Sequence, residues 1–153
     1  VVDYLLGKGG KIEGSKKLPK APIYLAIFKG NTIVVRRFPD LGSNSNYTWP
    51  AGEGTGGTLL TVAVDSGHIE IVERLRQCGA DVNFRGSKNY GTLYRAIFFD
   101  HYDVFRFLLS RGACLNEHEK SALSGLEKNK QTEKYIEFLK ENKGCNDKTP
   151  PTK

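Results

Sequence analysis

The chain repeats itself with a period of about 33 residues, and this limits its possible folds more than any other feature. Residues 67–83 align without a gap with residues 100–116, and their apolar positions coincide. The marker glycines of four successive segments are Gly9, Gly42, Gly79 and Gly112. The first and last intervals between them are equal, and the middle interval is slightly longer because it contains a stretch rich in glycine and serine, which predicts a lengthened loop. Such a period is typical of a solenoid of stacked units.

Each repeat contains two segments with helical periodicity. Ahead of one marker glycine, Ile71, Val72 and Leu75 recur at helical spacing and form one apolar helix face. Gly79 and Gly112 follow such segments, where a left-handed residue ends a helix at little cost if it is glycine. Shorter helices are predicted before these segments, at residues 21–29, 59–66 and 93–99. The pattern therefore predicts units of two antiparallel helices followed by a protruding turn.

The third unit carries a nearly complete motif. It reads Thr58-Leu59-Leu60-Thr61-Val62-Ala63, then Gly67-His68, Ile71-Val72 and Gly79-Ala80-Asp81-Val82-Asn83. These residues resemble the ankyrin repeat. The resemblance implies an all-α fold, a solenoid of stacked helix-turn-helix units with protruding hairpin-like turns.

The resemblance covers residues 1–144, which we interpret as an ankyrin-repeat domain. Its predicted parts are a partial unit (1–20), three units (about 21–57, 58–91 and 92–120) and a degenerate C-terminal cap (121–144). Residues 145–153 are expected to form a disordered tail. Pro39 should shorten the second helix of the second unit. Because the first unit lacks its first helix, we expect more repeats or another domain upstream in the parent protein.

Composition and cysteine content limit the cellular environments in which the chain is expected. Its 39% apolar and 26% charged residues are a globular balance, and no stretch approaches the roughly 20 apolar residues of a membrane span. Three widely spaced cysteines suggest neither a disulfide framework nor a zinc site. We expect a reducing, cytoplasmic location, with the nucleus as an additional one. The net charge of +6 indicates solubility first and an acidic partner second.

No recognisable catalytic or cofactor motif is present. The glycine-rich segment 52–57 lacks the lysine of a phosphate loop, and no Ser, Cys or His has the setting of a nucleophile. In the ankyrin family, the position of His68 and His101 begins the second helix and makes structural hydrogen bonds. His118 is expected at the surface. We therefore predict a non-enzymatic protein with no catalytic residue, no metal site and no cofactor.

The candidate partner-binding residues lie where the ankyrin frame directs side chains into its concave groove or its finger turns. Exposed Trp and Tyr residues suit an interface because they bury a large area with few rotatable bonds. Trp49 either serves this role or folds back over the second unit. Phe98 and Phe99 end a first helix beside the groove, and at least one of them should belong to the core. The predicted binding strip comprises Phe28, Lys29, Tyr47, Trp49, Asp65, Arg85, Lys88, Tyr90 and Phe99.

Two asparagines match modification patterns. Asn83 follows Asp81-Val82, with Leu75 eight residues before it, and this is similar to ankyrin asparagines that an oxygen-sensing dioxygenase hydroxylates. The alternative is that Asn83 only stabilises its turn through side-chain hydrogen bonds. Asn46-Tyr47-Thr48 satisfies the N-glycosylation rule, which matters only for a secreted chain.

The resemblance favours a scaffold that binds another protein through its groove and finger turns. Three alternatives stay open at this point. The repeats could be a regulatory or targeting segment of a larger enzyme, channel or effector, or a cytoplasmic inhibitor of the IκB type that masks a transcription factor. The third is binding of nucleic acid or another polyanion, which the positive charge suggests and the ankyrin resemblance disfavours. The sequence identifies neither the partner nor the oligomeric state.

Overall fold

The computed structural model describes residues 22–37, 46, 48–49, 57–86, 89–125 and 130–141. The helices in these ranges are α1 (Pro22–Phe28), α2 (Thr32–Arg36), α3 (Leu59–Asp65), α4 (Ile69–Gln77), α5 (Thr92–Phe98), α6 (Tyr102–Ser110), α7 (Glu117–Ser124) and α8 (Lys130–Glu141). Two short strands, β1 (Thr48–Trp49) and β2 (Gly57–Thr58), pair antiparallel. The prediction of an all-α solenoid with hairpin-like turns is confirmed.

The helices form two layers. The first helices of successive units, α1, α3 and α5, pack side by side, and the second helices, α2, α4 and α6, pack beside one another in the same order. A turn of three residues joins the two helices of each unit, so they run antiparallel. The core lies where the two layers meet. Its largest fully buried side chains are Tyr135, Phe105, Ile23, Ile27, Leu59, Leu60, Ile71, Leu75, Leu93, Ile97 and Leu108.

The first helix of the third unit, α3, has neighbours on several sides. Every residue from Leu59 to Val64 is buried, because α1 and α5 flank α3 and α4 covers it. Its start is defined by a reciprocal pair of hydrogen bonds. The Thr58 backbone N–H donates to Thr61 Oγ1 at 3.0 Å, and the Thr61 N–H donates to Thr58 Oγ1 at 3.4 Å. Such a cap contributes about 1 kcal/mol and sets where the helix begins.

The second helices end as predicted. Gly79 and Gly112 adopt positive φ angles of 87° and 81° directly after α4 and α6, in the left-handed region that favours glycine. In the second unit, α2 has only five residues and ends at Arg36, three positions before Pro39. The second helix of this unit is short, as expected, while Pro39 and the residue before it lie outside the described residues.

The last described unit begins earlier than expected. Asn116 caps α7, and Glu119 reaches back to the Asn116 backbone N–H, so the helix starts at Glu117. The predicted boundary between residues 120 and 121 therefore falls inside α7. Helix α8 closes this end of the stack and buries Tyr135 completely against Phe105 of α6, with ring centroids 4.9 Å apart.

Two histidines connect neighbouring units, as the ankyrin resemblance implied. His68 donates from Nε2 to the Phe28 carbonyl oxygen at 3.2 Å, and His101 donates in the same way to the Asp65 carbonyl oxygen at 2.9 Å. Each ring thus satisfies a carbonyl at the end of the preceding first helix, where no intrahelical donor remains. The structural role predicted for both histidines is confirmed.

Asp100 occupies the place that glycine holds in the other units. It adopts φ +61°, a conformation that costs a non-glycine residue energy. Its carboxylate accepts a hydrogen bond from the Tyr135 hydroxyl at 2.9 Å and pairs with Lys134 at 2.8 Å. Burial, followed by this hydrogen bond, raises the pKa of Tyr135 above its ordinary value. Asp100 therefore joins α8 to the fourth unit through contacts that glycine cannot make.

Gly67 should tolerate alanine less well than Gly112. Both have positive φ, but an added Cβ at Gly67 would lie 2.6 Å from the His101 ring, whereas one at Gly112 would meet nothing within 4 Å. We expect Gly112→Ala to lower the free energy of unfolding by about 1 kcal/mol and Gly67→Ala by about 2 kcal/mol or more. Urea denaturation followed by circular dichroism measures both. Equal losses would mean that the His101 contact adds nothing to the backbone effect.

One expectation about the cysteines is wrong. Cys114 is disulfide-bonded, although the number and spacing of the cysteines suggested no disulfide framework. Separation along the chain carries no information on which thiols the fold brings together.

Candidate interaction surface

The carboxyl-terminal ends of α1 and α5 expose aromatic side chains. Phe28 and Phe98 are the last residues of these helices and are 51% and 61% exposed, and Phe99 beside them is 43% exposed. Leu25, one turn before Phe28, is 46% exposed. These four large apolar side chains lie at or near equivalent repeat positions. They form an apolar surface that is exposed to water and contributes nothing to the core.

Neither Phe98 nor Phe99 belongs to the core, so the expectation that at least one of them would is wrong. The buried face of α5 is filled by Leu93, Ala96 and Ile97, and the two phenylalanines follow it onto the exposed side. Their rings contact each other edge to face with centroids 5.2 Å apart. This arrangement is favourable for aromatic pairs and orders both rings without burying them.

The phenylalanines continue a row of rings that begins at the finger turn between the third and fourth units. Tyr90 stacks on Tyr94 with centroids 4.4 Å apart, and Tyr94 stacks on Phe98 at 6.3 Å. His118 of α7 tilts against the other side of Tyr90 at 5.2 Å. Tyr90 is therefore half-buried rather than free in solvent. It connects the finger turn to the exposed pair Phe98 and Phe99.

An ion pair lies between the two apolar ends of this surface. Arg95 of α5 donates from Nε to Asp65 Oδ1 at 2.6 Å, and its Nη2 pairs with the second carboxylate oxygen. Burial raises the pKa of the Asp65 carboxyl, and Arg95 opposes this rise through its hydrogen bonds and its charge. The two-pronged geometry links the third unit to the fourth and orients both side chains.

The exposed ends of α1, α3 and α5 thus form one surface, which we call the first-helix surface. It consists of Leu25, Phe28, Lys29, Asp65, Arg95, Phe98 and Phe99. Lys29 is exposed, and its ammonium lies 5.8 Å from the centroid of the Phe28 ring. The surface therefore has an apolar and basic end, a paired polar centre and an aromatic end.

A sequence model described as "Ankyrin repeats (3 copies)" matches residues 1–86 and 52–119, which together span most of the chain. The chain belongs to the ankyrin-repeat family. Ankyrin repeats are generally protein–protein interaction modules, and the family is typically non-catalytic.

Three curated relatives are similar to parts of this ankyrin-repeat chain. Alpha-latroinsectotoxin-Lt1a of Latrodectus tredecimguttatus is 29% identical over 118 residues, which is 76% of this chain and 8% of the toxin. Ankyrin repeat and KH domain-containing protein mask-1 of Caenorhabditis elegans is 38% identical over 69 residues, 42% of this chain and 3% of that protein. Notch-regulated ankyrin repeat-containing protein A of Danio rerio is 27% identical over 97 residues, 61% of this chain and 83% of that protein. The chain thus spans only a small fraction of the toxin and of the KH-domain protein.

Four members of the predicted binding strip meet on the first-helix surface of the ankyrin stack. They are Phe28, Lys29, Asp65 and Phe99. Tyr90 contacts the same surface through Tyr94 and Phe98. Tyr47 and Lys88 lie outside the described residues, as does the side chain of Trp49, whose backbone pairs with Gly57 in the β1–β2 hairpin. Both hypotheses for Trp49, an interface role and packing over the second unit, stay open.

Arg85 stands apart from the rest of the strip. Its Nη1 donates to Glu119 at 2.6 Å, and its Nη2 donates to the Cys114 carbonyl oxygen at 3.0 Å. Glu119 is completely buried and also accepts from the backbone N–H groups of Gly91 and Asn116. The charge of Arg85 is therefore satisfied inside the ankyrin stack, where it joins the finger turn between the third and fourth units to the cap.

Leu25, Arg95 and Phe98 belong to the surface but were not named in the strip. Asp65 and Arg95 are separated by almost one repeat period along the chain and carry opposite charges. That separation was a signal for a contact between neighbouring units, since equivalent positions of stacked repeats lie side by side.

Asn83 bridges two units of the ankyrin stack. Its Nδ2 donates to the Gly112 carbonyl oxygen at 3.1 Å, and its Oδ1 accepts from the Cys114 N–H at 2.9 Å. Its own N–H donates to the Asp81 carboxylate at 2.8 Å, as the turn-stabilising alternative predicted. Hydroxylation of Asn83 stays a prediction, and a modifying enzyme would have to displace these bonds.

Asn46 makes the equivalent bridge one unit earlier. Its Nδ2 donates to the Gly79 carbonyl oxygen at 3.1 Å, and its Oδ1 accepts from the Asp81 N–H at 3.0 Å. The amide nitrogen that a glycan would occupy is thus bound to the neighbouring ankyrin unit.

Among the described residues, no three His, Cys, Asp or Glu side chains cluster as metal ligands would. Among the same residues, no helix combines the length and the apolar character needed to cross a bilayer.

Proposed function

We propose that this chain is a non-enzymatic scaffold that holds a partner protein on the first-helix surface, with the finger turns contributing along one side. The observation that carries the proposal is the exposure of Phe28, Phe98 and Phe99 at equivalent ends of first helices. In the ankyrin family these ends line the concave groove. Exposed aromatic rings at the centre of a surface are the usual anchors of protein interfaces.

Two physical features of the surface support a specific protein interface rather than a nonspecific hydrophobic patch. The edge-to-face contact of Phe98 with Phe99, and the stacking of Phe98 on Tyr94, order the rings before a partner arrives. Rigid anchors lose little conformational freedom on binding, so more of the burial free energy becomes affinity. The Asp65–Arg95 pair offers polar contacts between the apolar ends and favours partners with a polar group there.

A second candidate function is that the chain acts as a regulatory or targeting segment of a larger enzyme, channel or effector. The coverage of the long relatives favours it, because only 8% of the toxin and 3% of the KH-domain protein correspond to this chain. Detection of the native product with an antibody to this segment measures its mass. A product close to the 17.0 kDa of the chain would contradict this second function. A cytoplasmic or nuclear location, and an inhibitor of the IκB type, remain proposals without an observation of their own.

The test replaces the aromatic anchors. Wild type, Phe98→Ala/Phe99→Ala and the control Ile33→Ala are used as baits in a lysate of the source cells, at low and high salt. Ile33 is 75% exposed on α2, in the other helix layer, so its replacement removes exposed apolar area without touching the first-helix surface. We expect proteins captured by wild type and Ile33→Ala at both salt levels to be lost with the double variant.

Affinity for a partner identified in this way should fall at least tenfold in the double variant, which corresponds to about 1.4 kcal/mol. Circular dichroism should show unchanged helix content, because neither phenylalanine packs in the core. Capture of the same proteins by all three baits would contradict the proposal. Recovery of salt-sensitive nucleic acid alone would favour the polyanion alternative instead.

A further inference from the structure

Two sets of described arginines differ in how their charge is paired. Arg85, on the finger turn between the third and fourth units, and Arg95, on the first helix of the fourth unit, are ion-paired with Glu119 and Asp65. Arg36, Arg76 and Arg111, at the carboxyl-terminal ends of the second helices or directly after them, are exposed. None of these three forms an ion pair with another described residue. Arginines that form no ion pair with another described residue therefore collect on the second-helix layer.

Two adjoining clefts shape this part of the surface. One lies between α2 and α4, has a volume of about 320 Å³, and is lined by Val35, Arg36, Ile71 and Arg74. The other lies between α4 and α6, has a volume of about 340 Å³, and is lined by Arg76, Phe107 and Arg111. Glu73 and Gln77 of α4 line both, so the two clefts adjoin along this helix. We call them together the second-helix clefts.

The guanidinium groups in the clefts are positioned by the fold. Arg74 donates from Nη2 to the Arg36 carbonyl oxygen at 3.1 Å and from Nη1 to Gln77 at 3.3 Å. Arg111 lies over the Phe107 ring, 5.2 Å from its centroid. A guanidinium stacked on an aromatic face keeps its N–H donors pointing outward from its edge, in the fork that matches a carboxylate.

We propose that the second-helix clefts bind an acidic segment of a polypeptide, whose carboxylates pair with Arg36, Arg76 and Arg111. Charge complementarity selects this occupant. Helices that pack side by side lie about 8–10 Å apart, so the clefts from α2 to α6 span about 16–20 Å. An extended chain rises about 3.3 Å per residue, and about six residues cover that distance.

The carboxylates in the clefts favour a polypeptide over a nucleic acid. Glu70 also lines the first cleft, and Glu73 lies between the arginines of both. A nucleic acid carries a negative phosphate at every nucleotide and meets repulsion at Glu73. A polypeptide places a neutral or basic residue at that point. The apolar floor formed by Val35, Ile71 and Phe107 likewise fits side chains better than phosphates.

The experiment uses fluorescence anisotropy with a labelled twelve-residue peptide that alternates Glu and Ser. Three variants of the full chain are compared with wild type, namely Arg76→Gln/Arg111→Gln, Glu73→Gln and the control Lys120→Gln/Lys140→Gln. The control removes the same net charge from α7 and α8, away from the clefts. A twelve-nucleotide single strand is titrated in parallel, all at 50 and 200 mM salt.

We expect the arginine variant to bind the peptide at least tenfold more weakly, the control to change less than twofold, and Glu73→Gln to bind more tightly. If the arginines had a purely structural role, Glu73→Gln would not increase the affinity for the peptide. Equal losses in the arginine variant and the lysine control would overturn the proposal, because only net charge would then matter. Tighter binding of the oligonucleotide than of the peptide, or no peptide binding below 1 mM, would overturn it as well. The first-helix surface is untouched in all three variants, so the outcome is independent of the function proposed above.

Discussion

Replacing Glu119 by alanine is expected to lower the free energy of unfolding by about 3 kcal/mol or more. The carboxylate is completely buried and accepts hydrogen bonds from Arg85, Gly91 and Asn116. Its removal leaves the Arg85 guanidinium and two backbone N–H groups without their acceptor. The loss is larger than that of an exposed ion pair because water cannot replace the missing partner in the buried site.

Glu117→Ala is the matched control for this substitution. Glu117 belongs to the same helix, and its pair with Lys120 is exposed, so its loss should change stability by less than about 1 kcal/mol. Urea denaturation followed by circular dichroism compares the two variants. Hydrogen exchange should show the amides of α7 and of the Arg85–Gly91 turn losing protection first in Glu119→Ala. Equal effects of the two alanines would show that the buried cluster does not connect the finger turn to the cap.

Phe105→Ala is expected to cost about 3–5 kcal/mol. The ring is fully buried and contacts Tyr135 edge to face at 4.9 Å and Phe138 at 5.7 Å, with Tyr102 at 6.0 Å. Removing it opens a cavity between α6 and α8 and takes away one of the two α6 rings that contact Tyr135 and Phe138, the other being Tyr102. The C-terminal helix should therefore lose much of its attachment to the stack.

Phe107→Ala serves as the control for size. Phe107 lies two residues further along α6, is half-buried and carries Arg111 over its ring, so its truncation should cost clearly less. Thermal and urea denaturation measure both losses, and hydrogen exchange locates them. Because stability in a repeat array is a sum of unit and interface terms, α8 should open before α3 in Phe105→Ala. A uniform loss of protection from α1 to α8 would contradict this local picture.

The sequence predicted the frame of the fold because local rules decide it. Helical periodicity, a capping threonine and glycines with positive φ act within a few residues, so the helices before Gly79 and Gly112 lie where expected. The histidine contacts were predicted from the family motif, which places them once per repeat. The short α2 agrees with the helix end expected ahead of Pro39.

The predictions that failed, or that missed a residue, depend on what lies across from a side chain. Phe98 and Phe99 are as hydrophobic as core residues. Only the packing of Leu93, Ala96 and Ile97 decides that both phenylalanines stay exposed. Arg85 was predicted as a binding residue because the repeat frame places it on a finger turn; the structure pairs it with Glu119, and its role in partner binding stays a prediction. The separation of 34 residues, about one repeat period, indicates a contact between neighbouring units but not that the carboxylate would be buried.

By itself, the sequence determined the repeat, its two-helix unit, the points where helices begin and end, and membership in a family of binding modules. Only the tertiary structure decided which polar groups are satisfied inside the stack and which charges and rings remain for a partner. The physical reason is that conformation is set by neighbours along the chain, whereas exposure is set by neighbours from other units. Contacts between units determine the Asp65–Arg95 pair, the burial of Glu119 and the arginines of the second-helix clefts that form no ion pair with another described residue.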